Sequence, residues 1–218
     1  IWMHNNFLID RAKGKDGAKM SKSSGDFLRL QVLVDRGIHP LAYRLMCLQA
    51  HYRSELEFTW DNLLAALTRL KRIVMGIERL TEKAGGQSAP VDHPALLQLR
   101  DRFDAALSDD LNSSKGLPLL EDLLGLKKVP AEQRLALLAE MDTVLGLDLL
   151  AVKRAQLRLR PAGAKTDETD IEARLDQRQQ AKAAKDFATA DTIRDQLTAQ
   201  GVELMDGDPL RWEWRIEI

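Results

Sequence analysis

From Thr59 to Leu145 large apolar residues return every three or four positions, and that rhythm limits the fold more than any other feature of the chain. Leu63, Leu67, Leu70, Ile73 or Val74, Ile77 and Leu80 make one stripe. Its period is near the ~3.6 residues per turn that put side chains on one face of an α-helix. Thr59 is placed as the N-cap, and Asp61 lies in the first turn, where a carboxylate favours the helix dipole. Arg69, Arg72 and Arg79 lie off the stripe. Gly85-Gly86-Gln87-Ser88-Ala89-Pro90 breaks the pattern. A second helix carries Leu96, Leu99, Arg100, Phe103 and Leu107. Asn112 and Ser113 cap a third through Leu117, Leu120, Leu123 and Leu124, with Pro118 early enough to be tolerated. Pro130 fits the first turn of a fourth, which bears Leu135, Leu138, Met141 and Leu145. Amphipathic segments joined by short breaks predict a helical bundle over 58–150.

The flanks read differently. Trp2 to Ile9 is a short strand, and Asp10 to Gly25 is a loop rich in Gly, Lys and Ser. A helix starts near Arg29 with Leu30, Val32 and Leu33 and stops at Gly37. His39-Pro40 restarts the chain for a helix from Leu41 to Ala50. Asp148 to Glu168 has no sustained period, so 151–168 reads as a linker. Ile171, Leu175, Arg178 and Lys182 share a helix. Asp186 caps another, with Ala190, Ile193, Arg194 and Leu197, which ends at Gly201. Val202 to Met205, the turn Asp206-Gly207-Asp208-Pro209, and Leu210 to Ile216 predict a two-stranded hairpin. The class is therefore mainly α, with a small α+β unit over 169–218.

Within Gly14 to Gly25, glycines permit a sharply bent backbone. Lys19 and Lys22 can converge there on one polyphosphate, whose departing oxygens gain charge during phosphoryl or nucleotidyl transfer. A solvated basic loop is the alternative. The net charge of −1 gives no global attraction to nucleic acid, so RNA affinity must come from local patches. Trp212 and Trp214 alternate with Arg211, Glu213 and Arg215, and so share one strand face. The indoles can stack on unpaired bases while Asp206 or Asp208 accepts from base amino groups. They can also form the core of so small a unit, and for at least one of them packing is the expected role. Arg178, Lys182, Lys185 and Arg194 are either phosphate contacts or a solvated helix face. The single Cys47 excludes an internal disulfide, and its apolar neighbours make it a packed thiol. No apolar run approaches a membrane span.

Several stretches, taken in order, carry a resemblance. They are Ile1-Trp2-Met3-His4-Asn5-Asn6-Phe7-Leu8, Lys19-Met20-Ser21-Lys22-Ser23, Gly25-Asp26-Phe27, His51-Tyr52-Arg53-Ser54 and Asp109-Asp110-Leu111-Asn112. Near the end stand Lys185-Asp186-Phe187-Ala188 and the segment from Ala190 to Leu197. Together they resemble the second half of cysteinyl-tRNA synthetases, with the Lys19–Ser23 string as the signature loop of the class I aminoacyl-tRNA synthetases. Three departures stand out. Asp26 replaces the usual Asn, Ser113-Ser114 replaces Thr-Pro, and the hairpin lacks a glycine between its Asp and its Trp.

The resemblance implies that 1–57 ends a catalytic domain and includes a stem-contact segment, that 58–150 supports the tRNA stem, and that 169–218 recognises the anticodon. It implies ATP-dependent activation of cysteine and transfer of the cysteinyl group to tRNA(Cys). Lys19 and Lys22 would be catalytic, stabilising charge on the phosphates. Lys19, Met20, Ser21, Lys22, Ser23 and His4 would bind ATP, although a structural role for His4 is equally open. Arg178, Lys182, Lys185, Arg194, Asp206, Arg211, Trp212 and Trp214 would bind tRNA. His51 and Arg53 would touch tRNA or tie a helix end. Magnesium is expected with ATP. Zinc is expected in complete family members, but neither its ligands nor the first nucleotide-binding signature is among these residues. A cytoplasmic monomer, here a fragment opening on Ile1, is the resulting expectation. The competing readings are the ligase that joins cysteine to an amino sugar in mycothiol synthesis, and a free-standing tRNA-binding module without catalysis. Alone, the fragment is expected to lack ATP–pyrophosphate exchange but to retain salt-sensitive tRNA affinity.

Overall fold

A computed structural model describes residues 4–6, 8–10, 18–19 and 29–217. Met20, Ser21, Lys22 and Ser23 lie outside the described residues, as do most of the loop expected over 10–25 and Trp2 and Phe7 of the expected first strand. The chain divides into two units. One comprises Ile1–Leu28 with Pro40–Leu157, the other Arg29–His39 with Arg158–Ile218.

The first unit begins with a small sheet. Strand β1 (Leu8–Asp10) is central, antiparallel to β2 (Ala18–Lys19) and parallel to β3 (Leu56–Phe58). Its register pairs Ile9 with Lys19 and Leu8 with Leu56. Strand β3 has no counterpart in the sequence reading, because three residues are too few to show a period. Helix α2 (Pro40–Leu48) precedes it, while α1 (Leu30–Asp35) belongs to the second unit.

The predicted bundle follows. Thr59 caps α3 (Trp60–Lys83), its side chain accepting from the Asn62 N–H at 3.0 Å. The anticipated stripe is its buried face, with Leu63, Leu67, Leu70, Ile73, Val74, Ile77 and Leu80 all buried. Helices α4 (Pro94–Ser108), α5 (Ser113–Gly125) and α6 (Ala131–Leu145) complete the unit. Pro118 does lie inside α5, and Asn112 caps that helix. Pro130 stands one position earlier than expected, at the N-cap of α6 rather than in its first turn.

Two arginines close helix ends that would otherwise leave carbonyls orphaned. Arg134, itself buried, donates to the Leu123 and Leu124 carbonyls at 3.0 and 2.6 Å, at the end of α5. Arg44 donates twice to the Leu145 carbonyl, at 3.0 and 2.7 Å, at the end of α6. Beside it Gly146 holds φ +61°, and a Cβ there would lie 2.7 Å from the Arg44 guanidinium. Only glycine fits both the backbone and the space.

The stretch read as a linker is folded. Leu157 is buried in the core of the first unit, within a short 3₁₀ turn, Arg154–Leu157, as are Leu147 and Leu149 just before the stretch. Its later residues belong to the second unit, where the Ala162 N–H donates to the Asp35 carbonyl at 2.8 Å. Scattered leucines give no helical period, yet each fills a place in a core.

The second unit's main body is α7 (Glu168–Ala183), α8 (Phe187–Ala199) and the antiparallel pair β4 (Val202–Leu204) and β5 (Trp212–Trp214). Asp167 and Asp186 are the N-caps of its helices. Ile171, Leu175, Leu197, Val202, Trp212 and Trp214 form its core. Both the hairpin and the capping role of Asp186 match the sequence expectation, although the strands are shorter.

Candidate functional site

The two tryptophans settle into the core rather than onto the surface. Trp212 is wholly buried, and its indole N–H donates to Glu172 on α7 at 2.6 Å. The Arg158 guanidinium lies 3.6 Å from the centroid of its ring and donates to its carbonyl at 3.1 Å. Trp214, 6% exposed, meets Trp212 edge to face at 5.1 Å between centroids. Alternation along β5 does put both rings on one face, but that face is turned inward. Neither indole offers a free surface to a base.

Four of the residues expected to contact RNA converge instead. Arg178, Lys182, Asp206 and Arg211 line a cleft of about 150 Å³ between α7 and the hairpin turn. Helical spacing brings Arg178 and Lys182 to the same face. The turn delivers Asp206 to them. Arg178 grips Asp206 with two hydrogen bonds, at 2.7 and 3.0 Å, and Lys182 approaches the same carboxylate at 3.4 Å. The Arg178 hydrogen bond holds the Asp206 carboxyl down at about 2, with the charges of Arg178 and Lys182 acting the same way and partial burial opposing. Asp206 is therefore a fixed acceptor whose side chain remains 66% exposed.

Two of the other cations are already engaged. Arg211, at φ +65°, reaches back to Glu172 and Asp176 at 2.8 and 2.7 Å. Arg194 pairs with Asp191 and Asp195, both at 3.0 Å. Lys185, at φ +60°, stands in the turn between α7 and α8. These groups form a mixed-charge surface rather than a bare basic one.

The sequence reading gives Phe187 no role. It opens α8 directly after the Asp186 cap and is 63% exposed, more than any other large apolar side chain described. A lone aromatic after a capping aspartate looks like a core anchor in sequence.

In the first unit, the backbone of Lys19 occupies β2, beside Ile9. His4 is exposed. His51 and Arg53 make structural ties. The Arg53 Nε lies 2.8 Å from the Asp110 carboxylate, and the His51 Nε2 lies 3.1 Å from the Asp110 carbonyl. Cys47 is half-buried beside Tyr43. Burial pushes its thiol up, away from the reactive thiolate, and also raises the Tyr43 hydroxyl to about 12. Among the described residues no group of three or more His, Cys, Asp or Glu could hold a metal ion. No described residues fit the zinc expected of complete family members. No helix among the described residues is long and apolar enough to cross a membrane.

No protein-family model matches the chain. Curated relatives do. A cysteine–tRNA ligase of Novosphingobium aromaticivorans is 58% identical over 216 residues, covering 99% of this chain and 43% of that protein. A cysteine–tRNA ligase of Zymomonas mobilis is 46% identical, covering 100% of this chain and 47% of the relative. Cysteine–tRNA ligase 1 of Burkholderia lata is 41% identical, covering 94% and 39%. The chain spans under half the length of these relatives. It is homologous, over nearly all its residues, to the C-terminal part of the cysteine–tRNA ligases, which are aminoacyl-tRNA synthetases.

Proposed function

We propose that this chain is the C-terminal part of a cysteine–tRNA ligase, which activates cysteine with ATP and transfers it to tRNA(Cys). The observation that carries the proposal is 58% identity to such a ligase across 99% of the chain. In this reading the segment around Lys19 works at the nucleotide. Lys19 and Lys22 stabilise charge on the α-phosphate and the departing pyrophosphate, and Met20, Ser21, Ser23 and His4 complete the ATP site. Removing one such contact typically costs ~10²–10³ in rate.

The second unit reads the anticodon. Its support is the fixed Asp206 acceptor, flanked by Arg178 and Lys182, in a unit that also exposes the ring of Phe187. Phe187 stacks on an unpaired base, worth ~1–3 kcal/mol. Asp206 accepts from a base amino group, while Lys182, Lys185, Arg194 and Arg211 face the phosphates. Trp212 and Trp214 serve as the platform beneath. The test is cysteine charging of tRNA(Cys) by the complete protein. Phe187→Ala should lower kcat/KM for tRNA roughly tenfold while leaving cysteine-dependent ATP–pyrophosphate exchange intact. A complete protein that charged no tRNA with cysteine would defeat the proposal.

A further inference from the structure

The turn between α4 and α5 carries two consecutive non-glycine residues in the left-handed region, Asp110 at φ +55° and Leu111 at φ +54°. Such conformations persist only where surrounding contacts over-determine them, and they cluster where geometry matters for function. Here the contacts are dense. The Asn112 N–H donates to the Ala106 carbonyl at 3.2 Å, and the Lys115 ammonium donates to Asp109 at 3.0 Å.

What this turn presents is the Asp110 carboxylate. It accepts from the Tyr52 hydroxyl at 2.6 Å and from the Arg53 guanidinium at 3.1 Å, with the Arg53 Nε at 2.8 Å from its other oxygen. The His51 Nε2 meets the Asp110 carbonyl at 3.1 Å, while its Nδ1 accepts from the Arg53 N–H at 3.3 Å. The turn thus fixes three successive residues of one segment.

That segment leads to the signature strand by two routes. The Asn6 N–H donates to the Tyr52 carbonyl at 3.0 Å, and the Asn6 amide to the Arg53 carbonyl at 3.2 Å, just ahead of β1. A few residues further on the same segment becomes β3, in register with β1 from Leu8↔Leu56 to Asp10↔Phe58. On its other edge β1 holds β2, whose last residue is Lys19. Asp110 is therefore linked to the backbone of the first signature lysine through the Tyr52–Arg53 contacts, the short chain from Arg53 to β3, and the β3–β1–β2 pairing.

We propose that Asp110 is a positioning residue for the nucleotide chemistry: it sets where β2 presents Lys19 by holding Tyr52 and Arg53. The inference rests on the ligase reading, and its test separates the two. In the complete ligase, Asp110→Asn and Tyr52→Phe are made in the parent and in a Lys19→Ala background, and cysteine-dependent ATP–pyrophosphate exchange is measured. Tyr52→Phe removes only a hydroxyl, so it reports even if Asp110→Asn folds poorly. Each substitution is expected to lower kcat roughly tenfold in the parent, with KM for cysteine unchanged, and less than about twofold in the Lys19→Ala background. Equal losses in both backgrounds would reduce Asp110 to a structural residue and overturn the proposal, with the ligase reading intact. Lys19→Ala exchange equal to the parent's would overturn it as well. A parent without cysteine-dependent exchange would remove the ligase reading and the proposal with it.

Discussion

Arg178 holds Asp206 by two hydrogen bonds, at 2.7 and 3.0 Å, although the arginine side chain is 10% exposed and the aspartate 66%. A nearly buried guanidinium thus spends its charge on keeping one surface carboxylate in place. The Nε of Arg178 has no partner of its own, so Asp206 is the main compensation for burying that cation.

The Asp206 carboxyl is held at about 2 in the folded chain, against an ordinary 3.8. A depressed folded value means that the unfolded chain takes up the proton first as pH falls. The stabilisation is complete above pH 3.8 and is lost as pH drops from there towards 2. Thermal unfolding of the second unit should show this loss, modest in size because Asp206 is exposed. Asp206→Asn should lower the melting temperature at neutral pH and flatten the acid-side slope.

The two indoles should respond differently to the same change. Trp212→Phe takes away the donor that one Glu172 oxygen holds at 2.6 Å, leaving that carboxylate only its Arg211 contact, whereas the Trp214 Nε1 has no partner to lose. Trp212→Phe should cost about 1 kcal/mol or more beyond Trp214→Phe in denaturant unfolding. Trp212→Ala should cost ~3–5 kcal/mol, the range for emptying a buried aromatic site.

Phe187 should behave in the opposite way. At 63% exposure its truncation to alanine should leave the melting temperature within a degree or two. Affinity for tRNA(Cys) should fall roughly tenfold. A shift in stability without a shift in affinity would assign the ring to packing.

Much of the bundle was legible because the stripe from Leu63 to Leu80 repeats for about five turns and can be read only one way. The folded stretch after α6 was not legible, since Leu147, Leu149 and Leu157 pack singly, outside any period. Alternation showed that Trp212 and Trp214 share a face but could not say which side of β5 the helices cover. Arg178, Lys182, Asp206 and Arg211 were each named from sequence, yet their meeting in one cleft depends on the hairpin turn reaching α7. Phe187 stayed hidden because exposure is a property of the folded unit.

Gly146 provides a test of the first unit. With φ at +61° and Arg44 2.7 Å from any added Cβ, Gly146→Ala should destabilise the bundle by about 1–3 kcal/mol. Chemical denaturation of the chain would read this directly.

The most direct test of the account compares binding of the chain to a tRNA(Cys) transcript and to the same transcript with its anticodon replaced. The account predicts binding weaker by roughly tenfold or more for the altered transcript, as expected from losing a stacked base and its hydrogen bonds. Equal affinity for the two transcripts would contradict it.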